Sequence, residues 1–242
     1  QEDVVLHDAK LPDELISVFG GPRHGLHELR RRVGAGARAL TCSALKPQGL
    51  SASALADLAA KFAEGCIDYI KDDHGLADQR YSPFAARVPA CAAAVRRASA
   101  ETGQPCRYAP NLSGHLDQLR DQLRLVRDEG LDTVVIAPMV VGLPAFHAIR
   151  DEHPHIAFIA HPAMGGAARI AAPLLLGKLF RLFGADATIF PNHGGRFGYS
   201  PATCTAIAEA ARGSWHDFKP ALPVPAGGVV PAFDVDLVAP TP

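Results

Sequence analysis

The stretch that decides the fold is CIDYIKDDH, residues 66–74. A short apolar run ends there at a lysine, two aspartates and a histidine, and an alanine-rich helical pattern precedes it over residues 51–65. Apolar strands that alternate with helices are typical of a parallel sheet covered by helices. In such proteins the chemistry lies at the carboxyl ends of the strands. The stretch therefore predicts both a parallel α/β fold and the place of its site.

The same alternation continues along the chain. The predicted strands cover residues 39–45, 66–70, 107–110, 133–137, 156–160, 187–190 and 222–225. The predicted helices cover residues 51–65, 84–102, 114–130, 144–152, 172–183 and 200–212. About seven βα units indicate an incomplete TIM (β/α)8-type barrel, with a doubly wound open sheet as the alternative. Residues 1–38 are expected to lead into the barrel and residues 39–242 to form it, without an N-terminal domain or a last strand.

Composition narrows the class of protein. The chain has 242 residues, 48% of them hydrophobic, and a formal net charge of −1. This is enough for one large domain with a core, and the balanced charge argues against a nucleic-acid or membrane-surface binder. No apolar run approaches the ~20 residues of a membrane span. The five scattered cysteines form no C-x-x-C pair, which predicts reduced thiols and a cytoplasmic protein.

The polar residues that end the second predicted strand have two interpretations. Lys71 could react with carbon dioxide to form an anionic carbamate, which with Asp73 makes an oxygen-rich site suited to Mg²⁺. His74 would be the third ligand of that metal. Asp72 is predicted to point to the opposite face of the strand and to be structural. The alternative is a loop held by a Lys–Asp salt bridge.

Further candidates follow the other strands. Lys46 ends the first strand, where desolvation lowers the pKa of a lysine that acts as an acid or base; otherwise it is a surface lysine. Glycine pairs let backbone N–H groups approach a phosphate, although ordinary turns use them too. The candidates for substrate or phosphate binding at these ends are Asn111, His161, His193, Gly194, Gly195, Arg196, Gly227 and Gly228.

These motifs in this order resemble the RuBisCO large-subunit superfamily, specifically the C-terminal barrel domain of its RuBisCO-like (form IV) branch. The segments that carry the resemblance are FGGPRHGL (19–26), LKPQGLS (45–51), DYIKDDH (68–74), HPAM (161–164) and PAGG (225–228). The resemblance implies a carbamate on Lys71, with Mg²⁺ bound by Lys71, Asp73 and His74. It also implies catalytic roles for Lys46, Lys71 and His161, substrate contact by Asn111 and His161, and phosphate binding by Gly227 and Gly228.

The departures from the carboxylases define the expected activity. Gln48 stands where they have a second lysine, Pro162 follows His161 instead of arginine, and His74 replaces the usual glutamate ligand. Residues 192–198 contain no lysine to hold a new carboxylate, which argues against carboxylation. The resemblance therefore implies an enzyme that forms an enediolate from a phosphorylated keto-sugar and is a homodimer in its full-length form.

Several reactions remain open within this class. The branch includes 5-methylthioribulose-1-phosphate isomerases, enolases of methionine salvage and oxo-isoapionate-phosphate decarboxylases. Alternatives outside it are genuine ribulose-bisphosphate carboxylase-type activity, a metallohydrolase barrel that uses His74, His161 and His193 with a carboxylated lysine, and an inactive fragment. A metallohydrolase would be expected to carry an H-x-H motif at the end of the first strand, and residues 45–47 read Leu-Lys-Pro there.

Overall fold

A computed structural model describes residues 4–195 and 197–227. The strands in this part of the chain are β1 Cys42–Leu45, β2 Tyr69–Asp72, β3 Arg107–Ala109, β4 Asn111–Leu112, β5 Thr133–Ile136, β6 Ala157–Ala160, β7 Ala187–Pro191 and β8 Leu222–Ala226. The α-helices are α1 Asp13–Phe19, α2 Gly25–Arg32, α3 Ala52–Glu64, α4 Phe84–Thr102, α5 Leu116–Asp128, α6 Pro138–Val141, α7 Leu143–Glu152, α8 Phe180–Leu182 and α9 Pro201–Arg212. A 3₁₀ turn spans Gly165–Ala167 and a π-helix spans Pro173–Leu179.

All paired strands are parallel and follow one another in chain order. They form a three-stranded sheet, β1-β2-β3, and a five-stranded sheet, β4-β5-β6-β7-β8. Only Pro110 separates β3 from β4, because proline has no N–H for the ladder. The carbonyl of Pro110 still accepts a hydrogen bond from the N–H of Val135 at 2.9 Å. The predicted parallel α/β class is thus confirmed, and the strand order within residues 4–195 and 197–227 lacks the reversal that a doubly wound sheet requires.

Most predicted elements agree with the structure to within a few residues. Helix α4 has the predicted bounds, and α9 begins after Ser200, whose side chain accepts from the N–H of Thr203. The predicted second strand was wrong at both ends. Cys66 has a φ of 60° and turns the chain after α3, whereas Lys71 pairs with Ala44 and extends β2 beyond its predicted end.

The predicted helix over residues 172–183 is a π-helix followed by the short helix α8. Gly177 lets this π-helix lie directly against α9, since a Cβ there would sit 2.5 Å from the Cβ of Ala210. The chain parts before and after residue 38 are in contact, because α2 packs on the strands. A domain boundary at residue 38 stays a prediction.

Alternation along the strands divides the core between two faces of the sheet. Ile70 belongs to the larger cluster, which lies between the strands and the helices. Its neighbour Tyr69 belongs to a second cluster on the opposite face, as side chains of adjacent strand residues do. That second cluster joins Leu29 of α2 and Val33, the residue after that helix, to strand residues Tyr69, Ala109, Val135, Ala157, Ile159, Ala187 and Ile189.

Helix α2 covers the amino ends of the strands from β2 to β8. The hydroxyl of Tyr69 on β2 donates to the carbonyl of Leu29 at 2.8 Å, while the N–H of Leu26 donates to the carbonyl of Pro220, just before β8, at 2.7 Å. With β3 and β4 counted as one strand, the six strands from β2 to β8 would separate the outer two by roughly 24 Å in a flat sheet, at about 4.8 Å per step. Leu26 and Leu29 are about 5 Å apart along a helix. The surface formed by the strands from β2 to β8 is therefore strongly curved, and α2 lies at the end where the amino ends of these strands meet.

The contact between α2 and β2 is testable by a small change. Tyr69→Phe removes the phenol oxygen from a side chain that is only 3% exposed. We expect a loss of about 1–2 kcal/mol in the free energy of unfolding, because the carbonyl of Leu29 loses a buried donor. Urea unfolding measures this loss, and Tyr81→Phe at an exposed tyrosine is the matched control. An equal effect of the two substitutions would contradict the contact.

Candidate functional site

Five predicted site residues meet at the carboxyl ends of β1, β2 and β6. Lys46 follows β1, Lys71 lies near the end of β2, and Asp73 and His74 follow β2. His161 follows β6, and its backbone N–H donates to the carbonyl of Ile136 on β5 at 2.7 Å. Parallel strands bring these residues to one edge of the sheet even though more than a hundred positions separate the first from the last.

Asp73 is the centre of the polar contacts. One carboxylate oxygen, Oδ2, lies 3.0 Å from Nζ of Lys46. The other, Oδ1, accepts from the N–H of Gly75 at 2.8 Å and from Nε2 of Gln48 at 3.2 Å. Burial alone would raise the pKa of Asp73, but the hydrogen bonds from Gly75, Lys46 and Gln48 outweigh it and lower that pKa to about 2. Asp73 is therefore a carboxylate at neutral pH.

Lys71 lies on the same face of β2 as Tyr69, since alternate strand residues share a face. Its Nζ donates to the carbonyl of Asp72 at 3.1 Å, and its side chain is half-buried. Burial lowers the pKa of Lys71, and the attraction of Asp73 and of other nearby acidic groups only partly opposes that effect. A larger neutral fraction of this amine favours reaction with carbon dioxide, because only the unprotonated amine is a nucleophile.

His74 and His161 form a stacked pair across the site. Their ring centroids are 4.0 Å apart and the ring planes differ by 15°. Nδ1 of His161 accepts from the N–H of Ala163 at 3.1 Å, so a neutral His161 carries its proton on Nε2. Burial, followed by electrostatic repulsion from His74 and Lys71, lowers the pKa of His161 to about 3. His161 is therefore a neutral donor at physiological pH.

The neutrality of His161 gives a pH prediction. Its imidazole is expected to show no titration between pH 8 and about 5 in a histidine-resolved NMR experiment, with His161→Gln assigning the resonance. An unfolded histidine has a pKa near 6.5. Stability from the neutral ring is thus complete above pH 6.5 and is lost as the pH falls towards 3, because only the unfolded chain takes up the proton. A titration midpoint near pH 6 would contradict this assignment.

The unmodified side chains do not by themselves make a metal site. Among residues 4–195 and 197–227, no three His, Cys, Asp or Glu side chains lie close enough to share an ion. Nδ1 of His74 is 3.7 Å from Oδ1 of Asp73, whereas two ligands on one Mg²⁺ are about 3.0 Å apart. A carbamate on Lys71 would supply the missing oxygen donors, so the residues fit Mg²⁺ only with this modification.

Asp72 belongs to a buried network behind the site. Arg87 on α4 donates from Nε to Oδ2 of Asp72 at 3.1 Å, and both side chains are 0% exposed. The hydroxyl of Tyr108 donates to Oδ1 at 2.7 Å, and the N–H of Asn111 donates to Oδ2 at 3.0 Å. The opposite orientation of Asp72 is thus confirmed. Our sequence interpretation missed Arg87, although a charge between the apolar residues of one helix face is the signal for such a partner.

Asn111 supports the loop that carries His74. Its Nδ2 donates to the carbonyls of His74 and Leu76, at 3.2 and 2.9 Å. Its Oδ1 is buried and makes no hydrogen bond with any described residue. Asn111 therefore lies directly beside the predicted ligands, and its role in binding substrate stays a prediction.

The glycine-rich loops after β7 and β8 approach each other. A Cβ on Gly195 would lie 2.8 Å from the carbonyl oxygen of Gly227, so the two backbones are in contact only because glycine occupies position 195. The N–H of Gly195 donates to the carbonyl of Asn192 at 3.0 Å and closes the turn. His193 and Gly194 lie in that turn. Phosphate binding here stays a prediction, and Arg196 and Gly228 lie outside the described residues.

No helix in the described residues combines the length and apolarity needed to cross a membrane.

The sequence is similar to known proteins along almost its whole length. The family described as ribulose bisphosphate carboxylase large chain, catalytic domain, matches residues 25–187.

A 5-methylthioribulose-1-phosphate isomerase from Rhodospirillum rubrum is 59% identical over 240 residues, which are 99% of this chain and 64% of that protein. A 2,3-diketo-5-methylthiopentyl-1-phosphate enolase from Geobacillus kaustophilus is 35% identical over 96% of this chain and 58% of its own length. This chain thus spans a little under two thirds of the relatives it matches.

The crystal structure of a Rubisco-like protein from Rhodopseudomonas palustris superposes with a TM-score of 0.93 at 57% identity. It covers 95% of this chain and 65% of that one. The match in sequence and in structure agrees with the segments that first indicated the resemblance, from the turn before α2 to the end of β8. The chain belongs to the family of the ribulose bisphosphate carboxylase large chain, and within that family to the RuBisCO-like proteins.

Proposed function

We propose that the full-length protein removes a proton beside the carbonyl group of a phosphorylated keto-sugar and returns it elsewhere, so that it isomerises the sugar without fixing carbon dioxide. The observation that carries this proposal is the convergence of Lys46, Lys71, Asp73, His74 and His161 at one edge of the sheet. Two basic groups, a carboxylate and two imidazoles are a suitable set for moving protons next to a polarised carbonyl.

We propose that the curved sheet belongs to a (β/α)8 barrel. The support is the position of α2, which contacts both β2 and Pro220, two residues before β8. The second cluster, which joins residues of the strands from β2 to β7, also supports it. A barrel brings the carboxyl ends of all strands to one face, where substrates bind. The site residues after β1 and β6 then face one another across that opening.

The implied cofactor is Mg²⁺ with a carbamate on Lys71, held by Lys71, Asp73 and His74. When bound, Mg²⁺ supplies a Lewis acid that makes the C–H beside the substrate carbonyl more acidic. Lys46 would have to leave Oδ2 of Asp73 for that oxygen to become a ligand, and its side chain is 64% exposed to solvent. Lys46 is then available to transfer a proton, and Nε2–H of His161 to donate a hydrogen bond to a substrate oxygen.

The isomerase reaction is the one that the comparisons favour. The relative named 5-methylthioribulose-1-phosphate isomerase is 59% identical, against 35% for the relative named as an enolase. A phosphorylated methylthio-ketose is therefore the first substrate to test, with enolisation of a diketo-phosphate as the second. Decarboxylation of an oxo-isoapionate phosphate remains an alternative without support from either relative.

The test is a panel of phosphorylated keto-sugars incubated with the full-length protein in deuterium oxide. Deuterium incorporation with a shifted carbonyl indicates isomerisation, and carbon dioxide release indicates decarboxylation. Incorporation into 5-methylthioribulose 1-phosphate, dependent on Mg²⁺ and bicarbonate, is the expected result. Zinc that is retained through dialysis, with no deuterium exchange into any of these sugars, would instead favour the metallohydrolase alternative. A homodimer and a cytoplasmic location stay predictions, and light scattering on the full-length protein tests the first.

A further inference from the structure

Gln48 reaches from the loop after β1 to the carboxylate of Asp73 on the loop after β2. Its Nε2 lies 3.2 Å from Oδ1 of Asp73, the same oxygen that accepts from the N–H of Gly75 at 2.8 Å. The two carboxylate oxygens are therefore held differently. Oδ1 is engaged by two neutral donors, while Oδ2 contacts the exposed Lys46 side chain at 3.0 Å.

Gly75 is shaped to receive the Gln48 amide. A Cβ built on Gly75 would lie 1.9 Å from Nε2 of Gln48, which no pair of real atoms tolerates. The absence of a side chain at position 75 therefore provides the space in which the amide sits. The hydrogen bonds from Gln48 and from Gly75 fix the rotation of the Asp73 side chain about its own bonds, because both act on one oxygen.

We propose that Gln48 is a positioning residue that holds Asp73 with Oδ2 as its single available oxygen for a metal ion. A neutral amide suits this task better than an ammonium group, since a second cation beside Asp73 would compete with the metal for the carboxylate. Outer partners of this kind orient a ligand without touching the metal, and their removal typically lowers metal affinity about 10- to 100-fold. The inference rests on the proposed role of Asp73 as a magnesium ligand.

The test is a calorimetric measurement of the affinity of the full-length protein for Mg²⁺ in the presence of bicarbonate. Gln48→Ala is expected to weaken Mg²⁺ binding about tenfold. Saturating Mg²⁺ should restore the rate of deuterium exchange, because Gln48 positions a ligand and takes no part in the proton transfer. The unfolding midpoint should not change, since Gln48 is exposed. Gln104→Ala, at another exposed glutamine far from the site, is the matched control and should bind Mg²⁺ normally.

A second substitution separates positioning from a general loss of structure. Gly75→Ala should expel the Gln48 amide and weaken Mg²⁺ binding to a similar extent. In the Gln48→Ala background, Gly75→Ala should add little, because its largest clash is with a side chain that is no longer there.

Two outcomes would overturn the inference. One is a Gln48→Ala protein that binds Mg²⁺ within twofold of the unaltered protein. The other is full additivity of the Gln48→Ala and Gly75→Ala effects, which would mean that the two residues act independently. If the unaltered protein binds no Mg²⁺ at all, the proposed function fails and this inference fails with it. If the unaltered protein binds Mg²⁺ and Gln48→Ala binds it equally well, only this inference fails.

Discussion

Replacing Lys71 with alanine is expected to abolish deuterium exchange into the substrate, with a loss of about 1,000-fold or more. The reason is that Lys71 is the residue whose modification completes the donor set around Asp73 and His74. A metal contributes several kcal/mol to such a reaction, and every 1.36 kcal/mol is a factor of about ten in rate. Exchange is measured by NMR in full-length protein with Mg²⁺ and bicarbonate.

The prediction has a control and a second readout. Lys61→Ala, at an exposed lysine in the last turn of α3, should leave exchange unchanged. Incubation with ¹³C-labelled bicarbonate should give a carbamate signal in the unaltered protein that is absent from Lys71→Ala. Exchange that survives the substitution, or a carbamate signal that survives it, would remove Lys71 from the site.

The substitution Asp72→Ala is expected to lower the free energy of unfolding by about 3–5 kcal/mol. It leaves the guanidinium of Arg87 buried and without a counter-charge, which is the costly way to break a buried ion pair. The other two guanidinium nitrogens of Arg87 donate to the carbonyls of Ser82 and Ala77, at 2.7 and 3.0 Å, so the loop after β2 should loosen as well. Urea unfolding followed by circular dichroism measures the loss.

Removal of both charges should cost less than removal of one. In Asp72→Leu with Arg87→Met, no unpaired charge is left in the core, and we expect a smaller loss than for Asp72→Ala alone. Asp117→Ala is the matched control, because its carboxylate is 81% exposed in the ion pair with Arg120 and should contribute almost nothing. A double substitution that is more harmful than the single one would contradict this expectation. It would show that the hydrogen bonds these two side chains make with their other buried partners outweigh the effect of an unpaired charge.

Much of the architecture was predictable because it depends on local patterns. Helix α4 was predicted with its observed bounds, and Ser200 and Pro201 marked the start of α9, since a hydroxyl cap and a proline at the first position are local signals. The π-helical geometry of residues 173–179 was not predictable in this way. It accompanies the close packing of Gly177 on Ala210, a contact between distant parts of the chain.

The candidate site was likewise predictable in its residues but not in their contacts. Lys46, Lys71, Asp73, His74 and His161 were identified from their positions at strand ends, and the structure places all five at one edge of the sheet. Their mutual contacts were not predictable. The Lys46–Asp73 ion pair joins two loops, and the His74–His161 stack joins residues 87 positions apart by their numbering, with no sequence signal for either.

The sequence by itself determined the parallel α/β class, the succession of strands and helices along the chain and the residue types at the carboxyl ends of the strands, because short-range periodicity and capping carry that information. Only the tertiary structure decided that Gln48 and Gly75 share one oxygen of Asp73, that Arg87 is the buried partner of Asp72, and that α2 bridges β2 and the start of β8. Those contacts depend on how a curved sheet brings separate loops together. Curvature is a property of the whole sheet, which no single stretch of residues contains.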